Sequence, residues 1–156
     1  MSSDFKITYI YFNRNYCSHD EYVNNNDEVM EMMACGAVEH NMYMVVNIGE
    51  MVDCEEQEVE LTLRLFMLED NRNEFQIKCM HDDGYNLYNT NLVFDRSGVL
   101  VAKYWKQNLF FEPVFDVPSE PMFTTFTTDF GVTFGTFTCF DSLWNQSFDL
   151  LDKVVI

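Results

Sequence analysis

The sequence predicts an α/β fold, and three stretches carry that prediction. Between Glu28 and Glu39, the residues Val29, Met32, Met33, Gly36 and Ala37 recur at helical spacing despite the glycine. Residues 88–105 read as a β-hairpin, with strands over 88–94 and 99–105 joined by the tight turn Asp95-Arg96-Ser97-Gly98. Residues 122–127 and 132–138 are runs rich in Phe and Thr, types that favour strands.

The remaining elements follow in order. Phe5, Ile7, Tyr9 and Tyr11 alternate as a strand does. Asn24-Asn25-Asn26-Asp27 reads as a loop and helix N-cap ahead of the 28–39 helix. Tyr43-Met44-Val45-Val46-Asn47-Ile48 is an apolar run that reads as a buried strand ending at Gly49. Residues 51–80 form an acidic insertion, densest over 55–78, with a helical or strand core at 61–68. After the hairpin, 110–121 is a loop punctuated by Pro113, Pro118 and Pro121, and a helix is expected over about 141–150. The last residues, Lys153-Val154-Val155-Ile156, are a β-branched run entering a core, which predicts further sequence downstream. No internal repeat is visible.

At 156 residues the chain is one domain at most. It is 47% hydrophobic and 22% charged, a globular rather than a disordered composition, and 16% aromatic residues supply a core. Nine basic residues against 26 acidic ones give a net charge of −17. That balance argues against a nucleic-acid partner and against docking on anionic lipid. No apolar run approaches a membrane span, and Met1-Ser2-Ser3-Asp4-Phe5-Lys6 does not open a signal peptide. The acid clusters at Glu55, Glu56, Glu58, Glu60, Glu69 and Asp70, and again at Asp20, Glu21, Asp27, Glu28 and Glu31. Both clusters read as solvated surface, the alternative being a site for a cation or a basic partner, with no calcium-loop pattern.

Five cysteines, Cys17, Cys35, Cys54, Cys79 and Cys139, suggest two pairs and one left over. No C-x-x-C spacing is present. Cys79-Met80-His81-Asp82-Asp83 holds ligand types without four ligands at metal spacing, and His19 and His40 are isolated, so neither metal nor cofactor is expected. Cys139 stands apart, in Phe137-Thr138-Cys139-Phe140-Asp141 at the end of an apolar run. A strand followed by a cysteine and a helix suits a nucleophile, because the turn exposes the sulfur and backbone N–H groups favour the thiolate. The same residue also reads as a buried core thiol. Lys106 continues the face shared by Leu100, Ala102 and Tyr104, and a lysine aimed at an apolar layer needs a partner or a task. The alternative is an exposed loop lysine. Glu112, six residues on in a Phe-rich loop, would be its counter-ion.

Tyr88-Asn89-Thr90-Asn91-Leu92-Val93-Phe94-Asp95, Gly98, Tyr104-Trp105-Lys106-Gln107-Asn108-Leu109-Phe110, Phe111-Glu112-Pro113-Val114-Phe115-Asp116-Val117-Pro118 and Phe134-Gly135-Thr136-Phe137-Thr138-Cys139-Phe140-Asp141 occur in that order. In this the sequence resembles the biotinidase/vanin (pantetheinase) branch of the nitrilase, or carbon–nitrogen hydrolase, superfamily. The likeness covers about 29–50 and 79–156, is weak over 1–28, and leaves 55–78 as an insertion. It implies a partial domain of the family's four-layer αββα sandwich, continuing beyond both ends of this chain. It also implies hydrolysis of non-peptide linear amides, of biotin-amide or pantetheine type, through a Cys thioester, without a cofactor.

By that resemblance Cys139 is the nucleophile, Lys106 the oxyanion stabiliser and Glu112 a supporting acid. The family's general-base Glu has no counterpart here, since Glu21, Glu28 and Glu31 lie in the wrong context. The 156 residues alone are therefore expected to be impaired. The runner-up is a catalytically dead pseudoenzyme that binds amides or a partner, and a third reading is an acidic interaction module. The resemblance implies a secreted or lipid-anchored protein and, taking the cysteines in order, the pairs Cys17–Cys35 and Cys54–Cys79. It fixes no oligomeric state, because family members differ. Asn145-Gln146-Ser147 is a glycosylation sequon close to Cys139.

Overall fold

A three-stranded antiparallel sheet in the order β1-β2-β3 frames the molecule: β1 is Met44–Asp53, β2 Tyr85–Phe94 and β3 Leu100–Trp105. The computed structural model describes residues 15–17, 28–54, 79–119, 121–145 and 147–149. The strand read at 5–11, the loop at 24–27, the insertion core at 61–68 and the terminal run at 153–156 lie outside those residues. Helix α1, Glu28–Glu39, packs on one face of the sheet, as its spacing predicts. A smaller hairpin pairs β4, Thr124–Thr127, with β5, Thr133–Thr136. The described residues are thus a mixed α/β arrangement of antiparallel sheets and few helices.

The predicted hairpin forms around an Asx turn. Asp95 Oδ1 accepts the Ser97 N–H at 2.8 Å and the Val99 N–H at 3.0 Å, and the Gly98 N–H reaches the Asp95 carbonyl at 3.0 Å. Gly98 has φ of +81°, and a Cβ there would stand 2.9 Å from that of Cys17, so the position requires glycine. β3 then carries a bulge. Val93 pairs with Ala102 but Phe94 with Leu100, which leaves Val101 unpaired in the ladder. The bulge corrects the expected alternation. Leu100 turns to the α1 side with Phe94, while Ala102 and Tyr104 face the other way.

Two further expectations change. The strand read as ending at Gly49 runs through it to Asp53 and pairs with β2 along its whole length. Nor is it buried on both faces. Met44, Val46 and Ile48 face the core and Val45 is 57% exposed, the pattern of an antiparallel strand covered on one side. The helix expected over 141–150 begins instead as a 3₁₀ turn, Cys139–Leu143, which stops at an extended Trp144. The bonds from Asp141 N–H to the Thr138 carbonyl and from Trp144 N–H to the Asp141 carbonyl span three residues and so wind it as 3₁₀. Residues 145 and 147–149 are helical again.

The core gathers Tyr16, Met30, Ala34, Ala37, Leu92, Phe94 and Leu100. Ala34 and Ala37 are fully buried, and their small side chains let α1 lie close to the sheet. The disulfides join Cys17 to Cys35 and Cys54 to Cys79, the pairing expected from their order. The first ties the 15–17 segment to α1, and the second ties the end of β1 to the segment entering β2. Farther along the same face, Tyr88 stacks on Trp105 at 4.4 Å. There Glu50 accepts from Lys103 Nζ at 3.2 Å, Thr90 Oγ1 at 2.8 Å and Trp105 Nε1 at 2.8 Å.

Phe94 is fully buried between α1 and the Tyr16 ring, 6.1 Å away. Phe94→Ala is expected to lower stability by about 3–5 kcal/mol, read as a fall in the denaturant midpoint at unchanged slope.

Candidate active site

The other face of the sheet is polar, and its register brings the polar groups together. Asn47 on β1 pairs with Asn91 on β2, and Asn91 pairs with Tyr104 on β3. Asn47 Nδ2 donates to Asn89 Oδ1 at 2.7 Å and to Asn91 Oδ1 at 2.8 Å. Asn91 Nδ2 passes on to Thr136 Oγ1 at 3.1 Å, and Asn89 Nδ2 to Glu112 Oε2 at 3.1 Å. These amides link the end of β5 to the loop after β3.

Lys106 lies one residue past β3. Its N–H donates to the Asn89 carbonyl at 2.8 Å, so the pairing with β2 continues and carries the side chain inward. It is 1% exposed, and its ammonium donates to Glu112 Oε1 at 2.5 Å. Glu112 is held on a loop that turns back to β2. Phe111 takes a left-handed φ of +52°, and Asp116 exchanges bonds with Leu87 in both directions. Asp116 also accepts from His81 Nε2 at 2.9 Å, which draws the segment after Cys79 onto the same loop.

Cys139 is free, exposed and left-handed, with φ of +48°. A non-glycine residue in that region is strained, and it lies where β5 gives way to the 3₁₀ turn. Among the described residues this thiol is not part of the core. Two residues on, Asp141 is 2% exposed. Its Oδ1 accepts from the N–H and Nδ2 of Asn108, and its Oδ2 from the Tyr104 hydroxyl and the Thr138 N–H. Phe110 packs on Phe140 at 4.9 Å. The loop bearing Lys106 and Glu112 is therefore fastened to the turn bearing Cys139. Lys106 pairs with Glu112 on that loop, and Cys139 stands on the turn moored to it.

The other flagged residues have separate roles. Asn145 is exposed, while Ser147 of the same sequon is buried and donates to the Asp141 carbonyl at 2.6 Å. Among the described residues no cluster of three or more His, Cys, Asp or Glu side chains forms a metal site, and no helix is long and apolar enough to cross a membrane. The sequence reading missed Tyr104, Asn108, Asp141 and the three asparagines. The signal was there for Asn89 and Asn91, two amides alternating in a strand otherwise built for burial.

By sequence this chain is similar to curated proteins of the biotinidase and vanin type. No family model matches. Biotinidase of Takifugu rubripes is 36% identical over 122 residues, covering 78% of this chain and 21% of the relative. Vanin-like protein 3 of Drosophila melanogaster is 37% identical over 133 residues, covering 81% and 21%. Pantetheinase of Homo sapiens is 41% identical over 119 residues, covering 76% and 19%. The chain spans about a fifth of the length of these curated relatives. The resemblance read from its motifs is found again in these matches.

Burial, reinforced by the Asp141 carboxylate, raises the Tyr104 phenol above its ordinary range. The folded value lies above the unfolded one, so the stability linked to this phenol is complete below about pH 10 and declines as pH rises further. Tyr104→Phe is expected to flatten the alkaline limb of the stability curve by about 1.4 kcal/mol per pH unit, measured by denaturant titration on either side of pH 10.

Proposed function

We propose that this chain carries the nucleophile and the oxyanion-stabilising lysine of a hydrolase that cleaves non-peptide linear amides, of biotin-amide or pantetheine type. The observation that carries the reading is the free Cys139 thiol on a strained turn, tied through Asp141 and the asparagines to the buried Lys106–Glu112 pair. The relatives' names, biotinidase and pantetheinase, support the amide chemistry. α1 on one face of the sheet and a polar opposite face fit one half of a four-layer αββα sandwich, in which residues 1–156 are part of a carbon–nitrogen hydrolase domain.

In this reading the Cys139 thiolate attacks the amide carbonyl, forming a carbon–sulfur bond and a tetrahedral oxyanion. The Lys106 cation stabilises that oxyanion, and Glu112 orients the lysine. The leaving nitrogen takes up a proton and departs as the amine, and the acyl group remains as a Cys139 thioester for water to hydrolyse. No glutamate of the sequence matches the family's general base, so both the Cys139 attack and the hydrolysis of the thioester lack their base and the 156 residues alone have little or no turnover. The same gap favours the second reading, a pseudoenzyme that binds an amide without cleaving it. The two disulfides support maturation in an oxidising compartment, in line with a secreted or lipid-anchored protein, and Asn145 is its candidate glycan site.

The test is acylation of the pure chain by an activated pantothenoyl or biotinyl ester, with mass spectrometry of the Cys139 peptide. The expected result is a single acyl adduct at Cys139, lost in Cys139→Ser and slowed about 10²–10³-fold in Lys106→Met. Acylation no faster than in the unfolded chain would sink the hydrolase reading. Saturable binding of the corresponding amide without an adduct would establish the pseudoenzyme.

A further inference from the structure

We infer that Asp141 is a positioning residue that sets Lys106 against Cys139, although its carboxylate bonds to neither. The inference rests on the roles proposed above for those two residues. An ionised carboxylate offers about four acceptor sites, and all four are taken here. Oδ1 accepts from the Asn108 N–H at 2.8 Å and Asn108 Nδ2 at 3.0 Å. Oδ2 accepts from the Tyr104 hydroxyl at 2.8 Å and the Thr138 N–H at 3.1 Å. Tyr104 stands two residues before Lys106 and Asn108 two residues after it, while Thr138 immediately precedes Cys139. One carboxylate therefore grips the chain on both sides of the lysine and at the entry to the cysteine.

The Asp141 side chain acts only as an acceptor. Every group that meets its side chain is a donor, and at 2% exposure no bulk water takes their place. An asparagine of the same shape keeps one acceptor oxygen and turns an NH₂ toward two donors. Its main-chain groups meanwhile wind the turn: the N–H donates to the Thr138 carbonyl, and the carbonyl accepts from Trp144 N–H and Ser147 Oγ. The aspartate thus builds the turn with its backbone and moors the turn to the lysine loop with its side chain.

The experiment uses the same chain and acyl donor in a double-mutant cycle, with amide hydrogen exchange alongside. Asp141→Asn is expected to slow Cys139 acylation about 10²-fold when Lys106 is present, and by no more than about twofold in a Lys106→Met background, because a misplaced lysine has nothing left to lose. One of the Asn108 and Thr138 amides, having lost its acceptor, is expected to exchange about tenfold faster while the β2–β3 ladder amides hold their rates. Losses that simply multiply across the cycle would overturn the inference and mark Asp141 as a general stabiliser. If Asp141→Asn does not fold, Tyr104→Phe removes one of the four bonds. It should slow acylation about tenfold with Lys106 and not in its absence, and the reverse result overturns the inference. Should the unaltered chain fail to acylate, the hydrolase reading falls and exchange alone decides. Release of the Asn108 or Thr138 amide supports the mooring, and unchanged exchange at both removes it.

Discussion

A lysine ammonium taken out of water dictates the design around it. Burying such an ion costs several kcal/mol unless a partner and further hydrogen bonds replace its hydration. Lys106 is 1% exposed, so Glu112 must sit against it, and Glu112 must itself be held. Asn89 does this from the middle strand, and Asn47 holds Asn89 from the neighbouring one. The polar face of the sheet, the return of the loop onto Leu87 and the left-handed step at Phe111 all serve that single requirement.

The opposite face carries a second buried ion pair, Glu50 with Lys103, beside the Trp105 ring. Lys103 and Lys106 are three residues apart and therefore project to opposite faces, so β3 feeds charge into both layers. A one-residue slip of β3 against β2 would strand Glu50 on one side and Asp141 on the other. The two carboxylates thus fix the register of the central pairing, a specification that apolar residues alone would leave looser. The bulge at Val101 reconciles this with the core, returning Leu100 to the helix side where Phe94 needs it.

Much of this was legible because it is local. Residues 28–39 carry helical spacing, and the Asp95–Gly98 turn announces its hairpin, while alternation left Lys106 open between an inward and an exposed loop position. The disulfide order came with the family likeness. What was not legible depends on contacts distant in sequence. The strand ending expected at Gly49 ignored β2, whose partners Asn89 to Tyr85 carry the ladder through Gly49 to Asp53. The helix expected after Cys139 lost to the Asp141 carboxylate, whose partners at 104 and 108 are more than thirty residues away. Leu100 misled because periodicity does not foresee a bulge.

The amide chain of Asn47, Asn89 and Asn91 has a consequence of its own. None of the three side chains titrates, and each joins its neighbours through neutral donors and acceptors. A change in proton activity therefore leaves these three amides untouched. The row of amides behaves as an electrically neutral spacer, transmitting geometry between β5 and the lysine loop.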